Sequence, residues 1–240
     1  MKNRVLSRYA LSCCVASALL AGCGGSQPPI GAHGSPAHIP FGFEAPRPRA
    51  AQSSANCPSN PNGSGILTDG DFSLAPDPGS WQGIPVGTKF APDWVVSERT
   101  IDFYGSDVSW DEPHGLCSVD LDGSGRSGVG AITHASVKTI VDATYTVDFI
   151  MSGNANCGPG QGNRRVKRLL VEAVSRSGNV GKVFSWNTAH EHDAQHGDFA
   201  RVRWHFTVLS DKTSFVFQSL DRPNYSNCGP VVAGMSVKEN

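Results

Sequence analysis

Apolar and polar residues alternate along two segments of the chain, "YTVDFIM" (145–151) and "RVRWHFTV" (201–208). Successive side chains of a β-strand point to opposite faces, so this alternation predicts a strand with one buried face in each segment. The residues expected on the two buried faces are Tyr145, Val147, Phe149 and Met151, and Val202, Trp204, Phe206 and Val208.

Shorter apolar runs recur between clusters of Gly, Asn, Asp and Pro. They read "DWVVS", "TIDFY", "LCSVDL", "GVGAIT", "RLLVEAV", "KVFSW", "TSFVFQSL" and "PVVAGMSV". No stretch after residue 24 shows helical periodicity. About ten short strands separated by turn signals predict an all-β fold, most simply a jelly-roll β-sandwich of two sheets. Trp94 and Trp204 continue apolar strand faces and are expected in its core.

The amino terminus carries an export pattern. Lys2, Arg4 and Arg8 precede an apolar run of about 14 residues, too short to span a bilayer as a helix. The run ends in "LLAGC" (19–23), which resembles the bacterial lipobox. Residues 1–22 are therefore predicted to be a lipoprotein signal peptide and Cys23 to carry lipid; the alternative is an ordinary secretory signal. Glycine after the cysteine favours the outer membrane over the inner.

Composition divides the remaining chain into a tether and one domain. Residues 23–65 are rich in Pro, Gly and Ser and show almost no apolar periodicity, which predicts a flexible tether. Residues 66–240 are long enough for one domain with its own core. The net charge of −1 gives no indication of a nucleic-acid partner. The basic cluster "RRVKR" (164–168) is interpreted as the solvated start of a strand.

Four cysteines remain once Cys13, Cys14 and Cys23 are assigned to the signal and the lipid site. They are Cys57, Cys117, Cys157 and Cys228. An even number in an exported domain predicts two disulfides, and four cysteines allow three pairings. No two of them have the C-x-x-C spacing of a common metal site.

A series of motifs in a fixed order resembles a known family. The motifs are "ILTDGDF", "DWVV", "TIDFYGS", "CSVDLDG", "GAI", "YTVDFIMSGN", "KRLLVEA" and "CGPVVAGMSV". Together they resemble the choice-of-anchor C family of exported bacterial proteins, which is similar to a plant cell-wall family of unknown function. The resemblance implies a galactose-binding-like jelly roll, attachment to the cell surface and polysaccharide binding.

The last strand and the disulfides are interpreted together. Val231, Ala233, Met235 and Val237 alternate as the expected inward face of a closing strand. A bridge from Cys228 to Cys157 would pin this strand to a neighbouring loop, and the related plant proteins carry cysteines near that pair. Cys57 and Cys117 would then form the second bridge by elimination.

Folds of this type often hold a structural calcium between the first and last strands. Asp69 and Asp71 are candidate ligands, but the chain departs from the family pattern at Ser73, Ala233 and Gly234, where carboxylate or other polar side chains are usual. Calcium requires six to eight oxygen ligands, so these departures weaken the expectation. No other cofactor is expected.

Two further segments have metal-ligand composition. The stretch "AHEHDAQH" places His190, His192 and His196 beside acidic residues, a set that suits zinc or copper. The alternative is an exposed polar loop. The stretch "DLDGSGRSG" starts like a calcium loop at Asp120 but has Ala131 in place of the final Glu, which favours a strand entering a glycine-rich turn.

The candidate ligand-binding residues are aromatic and polar side chains expected in or beside loops. Sugar rings stack on aromatic faces and hydrogen-bond to polar neighbours. The candidates are Trp81, Tyr104, Trp110, Arg222, Asn224 and Tyr225. The chain lacks a G-x-S-x-G nucleophile motif, and no enzymatic activity is expected. Three functions remain open: a polysaccharide-binding lipoprotein, an adhesive or structural protein that binds another protein, and a metal-binding lipoprotein.

Overall fold

The computed structural model describes residues 56–60, 62–106, 116–124, 129–154, 166–187, 199–221 and 228–240. Every named element in these ranges is a strand. In chain order the strands are β1 (Trp81–Pro85), β2 (Lys89–Ala91), β3 (Trp94–Glu98), β4 (Thr100–Tyr104), β5 (Ser118–Asp120), β6 (Ala131–Lys138), β7 (Thr144–Gly153), β8 (Val166–Ser175), β9 (Gly178–Asn187), β10 (Ala200–Thr207), β11 (Lys212–Ser219) and β12 (Pro230–Glu239). None of the described residues belongs to a helix that is long and apolar enough to cross a membrane.

The strands form two six-stranded sheets. Sheet 1 has the order β1-β4-β5-β12-β7-β10, and sheet 2 has the order β2-β3-β6-β11-β8-β9. Neighbouring strands are antiparallel throughout. From β5 onward the chain crosses repeatedly between the sheets, as in a jelly roll. The predicted all-β jelly-roll β-sandwich is confirmed.

The core lies between the sheets and is rich in aromatic rings. Trp94 is wholly buried and Trp204 is 6% exposed, so both predicted core tryptophans are confirmed. Phe72 contacts Trp94 and Phe103 edge-to-face, with ring centroids 5.6 and 5.7 Å away. These contacts join the segment before β1 to both sheets, because Trp94 lies on sheet 2 and Phe103 on sheet 1.

The folded part of the chain begins before residue 66. Cys57 is buried and forms a disulfide with Cys117 that closes a sequence separation of 60 residues, which confirms that predicted pair. Asn60 N–H donates to the Asp71 carboxylate at 2.7 Å. Residues 56–60 and 62–65, which composition assigned to the tether, are thus attached to the sandwich. Cys228 is also in a disulfide, and Cys157, its expected partner, lies outside the described residues.

The prediction for the inward face of β12 is half wrong. Val232, Met235 and Val237 lie in the main core, whereas Ala233 belongs to a separate apolar cluster with Leu116 and Ile150. The register of β12 against β7 shifts between Ala233 and Ser236, and Gly234 has a φ of 56°. This bulge adds a residue to the strand, so the alternation changes face at Gly234.

Replacement of Gly234 by alanine is expected to destabilise the protein. A side chain in the left-handed region costs about 1–2 kcal/mol. An added Cβ would also lie 3.1 Å from the Asn60 side-chain nitrogen. Urea denaturation should therefore show a lower free energy of unfolding for Gly234→Ala. The control is Gly83→Ala, where the Cβ would meet Asp102 at an ordinary 3.5 Å. Equal stability of the two variants would contradict the strained bulge.

Candidate functional site

The outer face of sheet 1 carries two rows of paired residues across β10, β7 and β12, and each row contains an arginine. In one row Arg201 lies opposite Ile150, which lies opposite Ala233. In the next row Arg203 lies opposite Asp148, which lies opposite Ser236. Residues two apart on a strand share a face and lie about 7 Å apart along it. Trp204 is buried and Val202 is partly buried against the core, so the alternation of β10 places the two arginines side by side on the outer face.

These rows form one side of a groove with a volume of about 310 Å³. The described residues that line it come from β7, β10, β12 and the segments before β1 and β5. They are Asn60, Asn62, Leu116, Asp148, Phe149, Ile150, Arg201, Val202, Arg203, Gly234, Ser236 and Lys238. The small apolar cluster of Leu116, Ile150 and Ala233 lies at this site, because β12 turns Ala233 outward before its bulge. The groove thus combines an apolar patch with polar walls.

Positive charge predominates among the described residues of the groove. Arg201, Arg203 and Lys238 are exposed cations, and Asp148 is the single carboxylate, which leaves a local excess of two positive charges. Arg203 Nε donates to Asp148 Oδ1 at 2.7 Å, and this hydrogen bond raises the pKa of the guanidinium. Lys238 Nζ donates to the Asn62 carbonyl at 3.0 Å. Glycoside hydrolysis commonly needs two carboxyl groups, and the described lining supplies one.

Of the predicted ligand-binding aromatics, Trp81 is at the surface and Tyr104 is not. Trp81 lies on the edge strand β1, where no strand was predicted, and is 51% exposed. Tyr104 pairs with Trp81 across β1 and β4 but is buried, and its hydroxyl accepts a hydrogen bond from Asn154 Nδ2 at 3.1 Å. Trp110, Arg222, Asn224 and Tyr225 lie outside the described residues.

One row of directly paired residues joins Trp81 to the groove. It runs Trp81, Tyr104, Ser118, Ala233, Ile150 and Arg201 across all six strands of sheet 1. Five interstrand spacings make the row about 24 Å long. Its middle is buried, while Trp81 and Arg201 at its two ends are exposed. An aromatic face and a charged groove therefore lie at opposite edges of the same sheet.

Asp69 and Asp71, the candidate calcium ligands, accept hydrogen bonds from within the protein. Asp71 accepts hydrogen bonds from Asn60, Ser64 and Ser73. Asp69 Oδ1 accepts from Leu74 N–H at 2.8 Å, and burial raises the pKa of this carboxyl to about 6 despite that bond. Within this pair, only Asp69 Oδ2 is buried without a hydrogen bond. Calcium requires six to eight oxygen ligands, and a calcium at this pair stays a prediction.

The histidine segment, with His190, His192 and His196, lies outside the described residues, as does Cys23. In the described ranges, one group of three side chains has metal-ligand proximity, namely Cys57, Asp77 and Cys117. Its two cysteines are bonded to each other, so their sulfurs are not available as thiolate ligands.

A buried charged cluster, which the sequence did not predict, surrounds Lys167. Lys167, interpreted as solvated, is wholly buried; its Nζ lies 3.4 Å from the Asp221 carboxylate and donates to the Cys228 carbonyl. Asp120 and Asp122 are also wholly buried. Alternation in "KRLLVEA" was the available signal, since Lys167 shares a strand face with the core residues Leu169 and Val171.

Burial dominates the acid–base properties of this cluster. It raises the pKa of Asp120 to about 8, and the charge of Asp122 adds to that rise. Burial also raises the pKa of Asp122 to about 7, although the Ser219 hydroxyl and the Lys167 charge oppose the change. Hydrogen bonds from Asp122 N–H and Gly229 N–H hold Asp120 in place at 2.8 and 2.9 Å. Lys167 and Asp120 thus bind groups within the protein, whereas both carboxylate oxygens of Asp122 are buried without a hydrogen-bond partner.

Replacement of Asp122 by asparagine is expected to reduce the loss of stability at high pH. A folded-state pKa of about 7, against the ordinary value of 3.8, means that the folded chain binds more protons between those pH values. The free energy of unfolding therefore falls as pH rises through this window, by at most about 1.4 kcal/mol per pH unit for one group. An asparagine side chain cannot ionise, so urea denaturation at pH 5 and pH 8 should show a smaller difference for Asp122→Asn.

The control for this measurement is Asp211→Asn, which changes an exposed carboxylate in the turn between β10 and β11. This variant should keep the pH dependence of the wild type. An unchanged slope in Asp122→Asn would show that Asp122 stays ionised in the folded protein.

The fold and the groove define a class of protein: an all-β sandwich with a charged groove on the outer face of one sheet. The chain belongs to the family described as "Protein of unknown function (DUF642)", whose model matches residues 65–238. No curated protein matches the chain significantly.

Several solved structures have a similar arrangement of strands at low identity. One titled "CBM4 structure and function" is 10% identical and has a TM-score of 0.38, with 72% of this chain and 99% of that chain covered. The C-terminal CBM6 of LamC from Zobellia galactanivorans is 10% identical with a TM-score of 0.36, covering 66% and 99% of the two chains. The arabinose-bound α-L-arabinofuranosidase MgGH51 is 11% identical with a TM-score of 0.44, covering 73% and 26%. Scores this low support no argument about function.

Proposed function

We propose that this protein is a non-catalytic, polysaccharide-binding lipoprotein, exported and held in the cell envelope by lipid on Cys23, with the outer membrane as its site. The observation that carries the binding function is the groove on the outer face of sheet 1. Its volume of about 310 Å³ lies in the range of ligand pockets, and it combines an apolar patch with a few convergent polar groups. The anchoring part of the proposal is supported by the "LLAGC" motif.

A polymer suits this surface better than a small ligand does. The groove and Trp81 lie at opposite ends of a row about 24 Å long. A polysaccharide chain long enough to pass over the covered middle of this row can contact both ends, with one sugar stacked on the exposed indole and others in the groove. Strands keep this spacing constant, because each residue of the row is paired with its neighbour in the sheet.

The test is retention of the full, disulfide-bonded chain on a panel of immobilised polysaccharides, with calcium and with chelator. Trp81→Ala is expected to weaken binding about tenfold, since it removes the apolar contact of one aromatic ring. Trp81→Phe should retain most of the affinity because it keeps an aromatic face. Val183→Ala, which shortens a 42% exposed side chain on β9 of the other sheet, is the control. Equal thermal melting of the Trp81 variants would establish that the fold is intact.

The outcomes separate the alternatives. Failure of the folded protein to bind any polysaccharide would contradict the proposal. If Trp81→Ala leaves binding unchanged, Trp81 does not contact the polysaccharide and the binding site is limited to the groove.

A second candidate is adhesion to a protein, favoured by an exposed apolar group at one end of the sandwich. Ile140 and Val141 are 57% and 50% exposed in the turn between β6 and β7, and Leu209 is 40% exposed in the turn after β10. The two turns are joined because Asp142 N–H donates to the Val208 carbonyl at 3.0 Å. If the protein retains no polysaccharide, crosslinking in cells is the experiment that would identify a protein partner.

A further inference from the structure

We propose that the groove recognises anionic groups of the polysaccharide, carboxylates or sulfate esters, through Arg201, Arg203 and Lys238. This inference rests on the polysaccharide binding proposed above and specifies its ligand class.

The first support is the local charge. The chain as a whole has a net charge of −1, yet three exposed cations and one carboxylate line the groove. Scattered surface charges would be expected to mix the two signs, whereas here the positive charge is concentrated at one concave site. A concave surface of one sign raises the local concentration of the opposite ion.

The second support is the spacing of the donors. Arg201 and Arg203 project from the same face of β10 about 7 Å apart, and Lys238 projects from β12, two strands away. Each guanidinium presents a planar set of five N–H donors that matches a carboxylate or a sulfate ester. Two guanidinium groups on one strand and a lysine two strands away can together bind more than one charge of an acidic polymer.

The third support is the state of Arg203. Arg203 Nε already donates a hydrogen bond to Asp148 Oδ1 at 2.7 Å, so the protein itself shows a carboxylate bound to this guanidinium. The contact leaves the outer nitrogens of the guanidinium, which project from a side chain that is 68% exposed. Asp148 holds the arginine in position and at the same time lowers the positive charge available to a ligand.

The experiment measures the affinity of the full, oxidised chain for two matched pairs of polymers. Alginate carries a carboxylate on each sugar, and its propylene glycol ester masks many of them. Dextran sulfate and dextran form the corresponding pair for sulfate esters. Polyglutamate is included because it carries carboxylates without sugars. Each titration is made at low and at high salt.

We expect binding to one or both charged polysaccharides that exceeds binding to its uncharged counterpart and weakens with salt, because exposed charges are screened. Arg201→Gln and Lys238→Gln should each weaken this binding about tenfold, since each removes a hydrogen bond to a charged group. Asp148→Asn should strengthen it about two- to fivefold, because it removes the competing carboxylate of an exposed ion pair.

The matched control is Arg176→Gln, which makes the same charge change at the turn between β8 and β9 of the other sheet. It should leave the affinity unchanged. Thermal melting of every variant separates loss of binding from loss of fold, and the gain expected for Asp148→Asn cannot arise from unfolding.

Each arm of the experiment has a distinct consequence. Tighter binding of alginate than of its ester would identify carboxylates as the recognised groups, and tighter binding of dextran sulfate than of dextran would identify sulfate esters. Either result would support the proposal. Binding of neutral dextran or another neutral glycan that is unaffected by Arg201→Gln would overturn the anionic preference and leave polysaccharide binding intact. Equal affinity for polyglutamate would overturn recognition of a glycan, and absence of binding to every polymer would contradict both proposals.

Discussion

The bulge at Gly234 determines which residues of the central strand face the core and which face the groove. If the same residues formed a regular strand without the bulge, the alternation that buries Val232 would continue through Gly234, Ser236 and Lys238. Met235 and Val237 would then face outward, and a lysine would be directed into an aromatic core. The observed shift keeps both apolar residues buried and leaves Lys238 exposed beside Asn62. A single left-handed glycine thus serves both the core and the candidate site.

The same strand links the start of the folded chain to the groove. Ile66 N–H donates to the Val237 carbonyl at 2.8 Å, and Met235 N–H donates to the Gly70 carbonyl at 2.9 Å. Asn60 Nδ2 donates to the Gly234 carbonyl at 3.4 Å. The segment that forms one wall of the groove is therefore held against the bulge, and the Cys57–Cys117 disulfide fixes its beginning. Changes at the bulge would reach the groove through these contacts.

Long alternating segments were predictable from the sequence, and short or irregular ones were not. The pattern in residues 145–151 and 201–208 predicted the buried faces of β7 and β10, because regular strands there have no bulge within those segments. β1 and β2 have five and three residues and lack such a pattern, which is why Trp81 was expected in a loop. The face of β12 was mispredicted before Gly234, because alternation was assumed to be continuous. The pairing of Cys57 with Cys117 was reached by elimination and is correct.

The candidate groove was missed for a related reason. Arg201 and Arg203 are far from Lys238 in the sequence, and they become its neighbours through the pairing of β7 with β10 and with β12. The conspicuous basic cluster, in contrast, contains a lysine whose charge is buried. Desolvation makes such a buried charge costly unless it is paired, and Lys167 has a carboxylate and a carbonyl as partners. The ammonium group of Lys167 already interacts with these partners inside the protein, so it is not available to bind a ligand. Arg201 and Lys238 remain exposed and hydrated, and they can exchange water for an anionic partner at much lower cost. Exposure, more than the density of basic residues along the chain, therefore identifies the charges that can recognise a ligand.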